Sequence, residues 1–194
     1  MKIVFSFSLC LLISSSIFAN IGPAGFGAFL NHYFVETGTL GGNGVAKALN
    51  SGFKEVRSIE FDFKNFNYSQ QRFAGTRNVK IAHGSSATDL WNLIQDINQP
   101  ITFWLDAHVC PALPNGGKNC PLLEELEQIK WHPLKNHTIL IDDMHCAGTD
   151  LFDYLTKEDL INKILEINPN YHISYVDGGD DGEYQNNVMV ARIN

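Results

Sequence analysis

The chain has 194 residues, 44% of them hydrophobic and 18% charged, which suits one globular domain with a full core. Its formal net charge is −7 with no basic cluster, which argues against nucleic acid or an anionic membrane surface as the main partner. Small-molecule or glycan-like substrates stay open.

Met1-Lys2 is a short basic start, residues 3–13 are apolar, and Ser14-Ser15-Ser16-Ile17-Phe18-Ala19 ends on a small residue. This is the layout of a secretory signal peptide over residues 1–19, so the protein is expected to be exported, periplasmic or secreted, after cleavage at Ala19. The alternative is a membrane anchor formed by the uncleaved signal, because the apolar stretch to Phe18 nearly reaches spanning length. Phe7-Ser8-Leu9-Cys10 lacks the small residue that lipid modification wants before its cysteine, and no later segment is apolar enough to span a bilayer. Residues 20–32 lead into a domain over residues 33–194.

Strand-like and helix-like segments then alternate. Residues 33–37, 56–61, 79–82, 101–105 and 138–141 are short apolar or β-branched runs, suited to strands buried on both faces of a parallel sheet. Between them, residues 44–50, 63–73, 87–97 and 122–130 carry helical patterns. In the last, Leu122, Leu123, Leu126 and Ile129 form an apolar face, with Glu124, Glu125 and Glu127 expected mostly outside it. A helix is expected over residues 157–167. Residues 172–176 and 188–193 read as two strands joined by the loop 177–187, which is too short for a helical crossover and makes the pair antiparallel. The pattern predicts an α/β fold: a doubly wound, mostly parallel seven-stranded sheet, Rossmann-like, with a C-terminal antiparallel hairpin.

The turn after the first strand, Glu36-Thr37-Gly38-Thr39-Leu40-Gly41-Gly42, is the most informative stretch. Glycine accepts positive φ and lets the backbone approach a ligand, and the following helix offers unpaired N–H groups. Glu60 closes the second strand, where an acid can accept bonds from two ribose hydroxyls at once. His83-Gly84-Ser85-Ser86 follows the third strand. The fourth and fifth end in Leu105-Asp106-Ala107-His108 and Ile141-Asp142-Asp143-Met144-His145, at the carboxyl edge that lines the ligand crevice in doubly wound sheets.

These motifs resemble the class I S-adenosylmethionine-dependent methyltransferases over residues 33–194. The resemblance implies S-adenosylmethionine as cofactor, held by Glu36, Thr37, Gly38, Gly41, Gly42, Glu60, Ser85 and Asp106. Glu36 is expected near the amino group of the cofactor and Glu60 at its ribose. Two positions depart from the family pattern: Leu40 stands at the middle glycine, and Ser85 replaces the acid that bonds the adenine amino group. The strand-end acids resemble those of metal-dependent O-methyltransferases and of the cephalosporin hydroxylase-like branch, so Asp106, Asp142 and Asp143 are expected to hold Mg²⁺ or Ca²⁺. Asp106, His108 and His145 are the expected catalytic groups, the imidazoles as general bases. Two other functions stay open: an exported non-catalytic binding domain on this fold, and a metal-dependent oxidase or hydrolase built on the same three aspartates.

Past the signal, Cys110, Cys120 and Cys146 remain. A Cys110–Cys120 disulfide is the favoured reading in an oxidising compartment, with His108, Cys110, His145 and Cys146 as a soft-metal alternative. Asn67-Tyr68-Ser69 and Asn136-His137-Thr138 match glycosylation acceptors. Asp177, Asp180, Asp181 and Glu183 read as a solvated turn, with calcium as the alternative. Only residues 109–120 and 146–156 can close over the crevice. Such small loops suit either an open site for a large acceptor or closure by a second copy, a homo-oligomer.

Overall fold

The computed structural model describes residues 25–108, 120–179 and 184–193. Five parallel strands form its centre: β1 (Tyr33–Thr37), β2 (Glu55–Glu60), β3 (Val79–His83), β4 (Ile101–Leu105) and β5 (Thr138–Ile141). β6 (His172–Gly178) and β7 (Tyr184–Arg192) follow as an antiparallel hairpin, and the sheet order is β3-β2-β1-β4-β5-β7-β6. β7 pairs antiparallel with β5 and so inserts the hairpin's second strand first. The expected seven-stranded, mostly parallel sheet is the observed one.

Helices α1 (Asn43–Ser51), α2 (Phe63–Arg72), α3 (Ser86–Ile94), α4 (Leu122–Trp131) and α5 (Lys157–Ile167) alternate with the strands. Alternate residues of the strands feed two separate cores. Val35, Phe103, Leu105 and Ile139 pack with α3, α4 and α5, while Phe34, Trp104 and Leu140 pack on the α1 side. The latter core also takes Phe26 and Phe29 from a 3-10 turn (Phe26–Phe29), so part of the lead-in segment is built into the domain. Phe26 sits against the Phe34 and Trp104 rings at 4.8 and 5.0 Å.

Three local expectations are corrected. α3 stops at Ile94 instead of residue 97, because Asp96 turns away to grip the Arg57 guanidinium through both its oxygens. The terminal hairpin loop is shorter than residues 177–187, because the β6–β7 ladder runs past Val176↔Val188 to Gly178↔Tyr184 through an irregularity. Glu125 is fully buried instead of outside the apolar face. α4 turns Leu122, Glu125, Leu126, Gln128 and Ile129 inward, and one turn of helix carries the glutamate over the sheet with its neighbours.

A buried imidazole pair closes the floor between β4 and β5. His132 Nε2 donates to the Ile97 carbonyl at 3.0 Å, which leaves its Nδ1 to accept from the His137 Nε2 at 3.1 Å, while the His137 Nδ1 accepts the Ile101 N–H. This chain of donors fixes both rings as neutral, and burial pushes His137 down to about 3.

Glu125 works in the opposite sense. Neither oxygen has a hydrogen-bond partner at good geometry, and burial pushes its carboxyl up to about 7, with the nearby Ser86 and Thr37 hydroxyls offsetting only part of that cost. A folded pKa raised above its unfolded value contributes stability below the unfolded pKa and loses it as pH rises through the folded one. Glu125→Gln should therefore gain on the wild type between pH 5 and pH 8, by up to about 3 kcal/mol at the alkaline end. Urea midpoints of the two proteins at both pH values check this; a gap that does not widen with pH contradicts it.

Candidate functional site

The end of β1 is tied on both sides. The Gly38 N–H donates to the Ile59 carbonyl of β2 at 3.0 Å, and the Asp106 N–H beyond β4 donates to the Thr37 carbonyl at 3.2 Å. The Thr37 hydroxyl accepts the same Asp106 N–H at 3.2 Å, so its side chain serves this junction. Gly38 has φ 83°, and a Cβ there would lie 2.4 Å from the Asp106 carbonyl oxygen. Only glycine fits. The chain then turns through Leu40, which is left-handed at φ 48°, and Gly42 at φ 77°, where a Cβ would strike the Phe73 ring.

Glu60 holds this turn. Its Oε2 accepts the Leu40 N–H at 2.7 Å and its Oε1 accepts the Asp62 N–H at 2.8 Å. Burial raises the pKa of Glu60, against those two backbone donors. Each carboxylate oxygen keeps a further lone pair for a hydroxyl. Arg72 reaches the Gly41 carbonyl and the Asn43 side chain and fixes the far side of the turn. Glu36 lies beneath, fully buried; its Oε2 accepts the Ser58 hydroxyl at 2.6 Å, and Ser58 meets Thr39 at 2.5 Å. Its Oε1 has no partner, and burial pushes its carboxyl up to about 8.

Beside Glu60 stands an aromatic rim missed in the sequence. Phe61 and Phe63 are 46% and 62% exposed, and the His83 ring lies 5.3 Å from Phe63 and 5.1 Å from Phe66. Such faces suit a planar ligand. Two aromatics directly after the strand-ending acid were the available signal. Ser85 opens α3 without spending its hydroxyl on a cap. Asp89, also missed, comes back one turn: its Oδ2 accepts the Ser85 N–H at 3.1 Å and crowds Gly84, where a Cβ would be 2.7 Å away. A carboxylate thus stands at the third strand's end although the sequence places a serine there.

At the ends of β4 and β5, Asp106, His108 and Asp143 each present a ligand atom, all within 4.8 Å of one another. His108 Nε2 is 2.8 Å from Asp143 Oδ2 and its Nδ1 is 3.5 Å from Asp106 Oδ1. Burial raises Asp106 well above the carboxylate range, helped by the charges of Asp142, Asp143 and Glu36. Burial pushes Asp143 up too, but the bond and charge of His108 outweigh it and hold the group low. Asp142 lies outside the cluster. Its Oδ1 accepts the Asp143 N–H at 2.8 Å, and burial and the Asp143 charge raise it.

Asn187 of β7, another residue the sequence reading missed, holds the cluster from outside. Its Nδ2 donates to Asp143 Oδ1 at 3.1 Å, and its Oδ1 accepts from the His145 Nδ1 at 2.7 Å. Gly178 makes room for it, since a Cβ there would lie 3.1 Å from the Asn187 side chain. His145 is thereby committed to Asn187, and its ring stacks on Tyr184 at 6.0 Å. Cys146 Sγ meets His145 Nε2 at 3.4 Å, and burial pushes that thiol up to about 11. Cys120 is a free, buried thiol; Cys110, and with it the expected disulfide, lies outside the described residues. So do Asp180, Asp181 and Glu183, while Asp177 accepts the Asn186 N–H as a turn residue.

No protein-family model and no curated protein matches the sequence. Solved structures match the fold. An O-methyltransferase from Bacillus cereus in complex with SAH has a TM-score of 0.59 at 13% identity, over 86% of this chain and 76% of that one. A putative methyltransferase from Streptococcus mutans, also with SAH, gives 0.60 at 12%, over 87% and 93%. The O-methyltransferase of tomaymycin synthesis from Streptomyces achromogenes, in complex with SAM, gives 0.57 at 11%, over 87% and 76%. The fold is the class I S-adenosylmethionine-dependent methyltransferase fold.

The tightness at Gly38 is directly testable. Gly38→Ala should lower stability by about 2–4 kcal/mol through a left-handed φ and a clash with backbone. Gly27→Ala, with open space around its Cβ, should change it little. Thermal unfolding of both variants checks this, and equal midpoints would contradict the geometry.

Proposed function

We propose that this protein transfers the methyl group of S-adenosylmethionine to an oxygen acceptor at the carboxyl edge of its sheet, with a divalent cation held at the ends of β4 and β5. One observation carries the reading: the Glu60-pinned glycine turn and the Asp106–His108–Asp143 cluster flank the point where the chain's path reverses, between β1 and β4. In open α/β sheets ligands bind there. The SAH or SAM bound in solved structures of the same fold supports it.

The residues present fit the cofactor. Gly38 lets the end of β1 pass close under the Asp106 backbone, Glu60 keeps lone pairs for the ribose hydroxyls, and Phe61 offers a face for the adenine. The cofactor supplies a methyl group on a sulfonium, activated for displacement. Asp89 and Ser85 stand ready for the adenine edge. The exported state and a small-molecule or glycan-like acceptor, read from the N-terminal segment and the acidic charge, complete the proposal.

The cluster fits a dication equally well. Asp106, His108 and Asp143 would hold it, and it would lower the pKa of an acceptor hydroxyl bound beside it. A second imidazole, His145, lies at the rim; with its Nδ1 donating to Asn187 Oδ1, its Nε2 is the atom that can take the proton the acceptor loses.

One observation favours the alternative of a binding domain without catalysis: Leu40 occupies the centre of the glycine turn and is 45% exposed, in the space a cofactor would cover. Calorimetry separates the readings. S-adenosylhomocysteine titrated into the mature chain should bind at one site, and Glu60→Gln should weaken it about tenfold, the loss of one charge-assisted bond. No binding to the wild type would refute the methyltransferase reading. Binding without methyl transfer to any hydroxyl acceptor would leave the non-catalytic domain.

A further inference from the structure

The donor set at β4 and β5 says more than that a cation is held there. We infer that this site selects a transition-metal dication of the Mn²⁺, Fe²⁺, Co²⁺ or Zn²⁺ class over Mg²⁺ and Ca²⁺, with the His108 imidazole as a ligand between Asp106 and Asp143. This rests on the proposal that a dication serves at this edge, and it departs from the oxygen-only set Asp106, Asp142 and Asp143 expected from the sequence.

Ligand chemistry makes the selection. Ca²⁺ takes six to eight oxygens, and Mg²⁺ asks for an octahedral oxygen shell and gives up its waters reluctantly. Imidazole suits the transition metals, and two carboxylates with one imidazole form a donor set of that kind. The displacement of Asp142 decides the composition. The ligand atoms that come within reach of one another are those of Asp106, His108 and Asp143, so the third position falls to His108.

The three donors are oriented as ligands are. The Asp106 side chain is 9% exposed, with the Trp104 indole beside it and His108 Nδ1 3.5 Å from its Oδ1. A buried carboxylate facing an imidazole and a second carboxylate is poorly solvated unless a cation joins them. His108 is 9% exposed, and its ring packs at 5.4 Å against the fully buried Phe152, which holds the ring plane. Asp143 is directed twice, by its left-handed backbone at φ 55° and by Asn187 Nδ2 on Oδ1, which leaves Oδ2 turned to the cluster. Outer hydrogen bonds of this kind set the direction of metal-binding carboxylates.

The rival account makes His108 a plain imidazolium lying between two aspartates. Mn²⁺ is a probe that separates the two, because electron spin-echo spectroscopy of the bound ion detects a directly coordinated imidazole nitrogen. The full mature chain, titrated in parallel with MnCl₂ and MgCl₂, should bind Mn²⁺ about tenfold or more tightly than Mg²⁺. Bound Mn²⁺ should show nitrogen coupling that disappears in His108→Asn and persists in His145→Gln. Coupling that is absent from the wild type, that survives His108→Asn, or that accompanies equal affinity for Mg²⁺ overturns the inference. A chain that binds neither ion overturns it together with the cation part of the proposed function. S-adenosylhomocysteine titration of the same samples keeps the two questions apart, since loss of cofactor binding with nitrogen-coupled Mn²⁺ intact counts against the methyltransferase reading alone.

Discussion

The close passage of Gly38 under the Asp106 carbonyl governs the geometry around it. The end of β1 is tied both to β2, through the Gly38 N–H, and to the residue after β4, through the Thr37 carbonyl. Those bonds draw two backbones so near that no side chain fits between them. Beyond that point the chain leaves β1 toward β2 while β4 continues on its other side, so the loops must part. The crevice is the consequence. It brings the glycine turn and Glu60 to one wall and Asp106, His108 and Asp143 to the other.

Electrostatics divides the acids gathered there into two states. Glu36 and Asp106 are buried deeply enough that desolvation favours their neutral forms; the charge of Glu60 adds to it at Glu36, and those of Asp142, Asp143 and Glu36 at Asp106. Asp143 stays ionised because His108 stands 2.8 Å away and Asn187 donates to its other oxygen. Glu60 is intermediate, desolvated but answered by two backbone N–H groups. The cluster thus sets one anion, Asp143, among carboxyls whose neutral forms burial favours. The fold gives up some stability to keep them, and Glu125 on α4 extends the same tension beneath the floor.

The sheet and its hairpin were legible because they rest on periodicity: apolar strand runs of four to six residues and amphipathic helices between them leave few alternatives. Gly38 and Glu60 were legible for a related reason, since a tight turn and a strand-ending acid are local patterns. Glu125 was not. Polarity assigned it to solvent, whereas its position on the helix set it facing the sheet. The choice between Asp142 and Asp143 was equally hidden, because it turns on one left-handed residue at φ 55°. Asn187 arrives from a strand 45 positions further along the chain than Asp142, and nothing near either residue announces the contact. Phe26 and Phe29 looked like lead-in until their rings filled the space over Trp104.

A crystal structure of the mature chain grown with S-adenosylhomocysteine tests the central claim most directly. The account predicts the nucleoside over the ends of β1 and β2, its ribose hydroxyls on Glu60, its adenine against Phe61 and its sulfur turned toward Asp106. A crevice closed by Leu40, with the ligand absent or bound elsewhere on the protein, would contradict it.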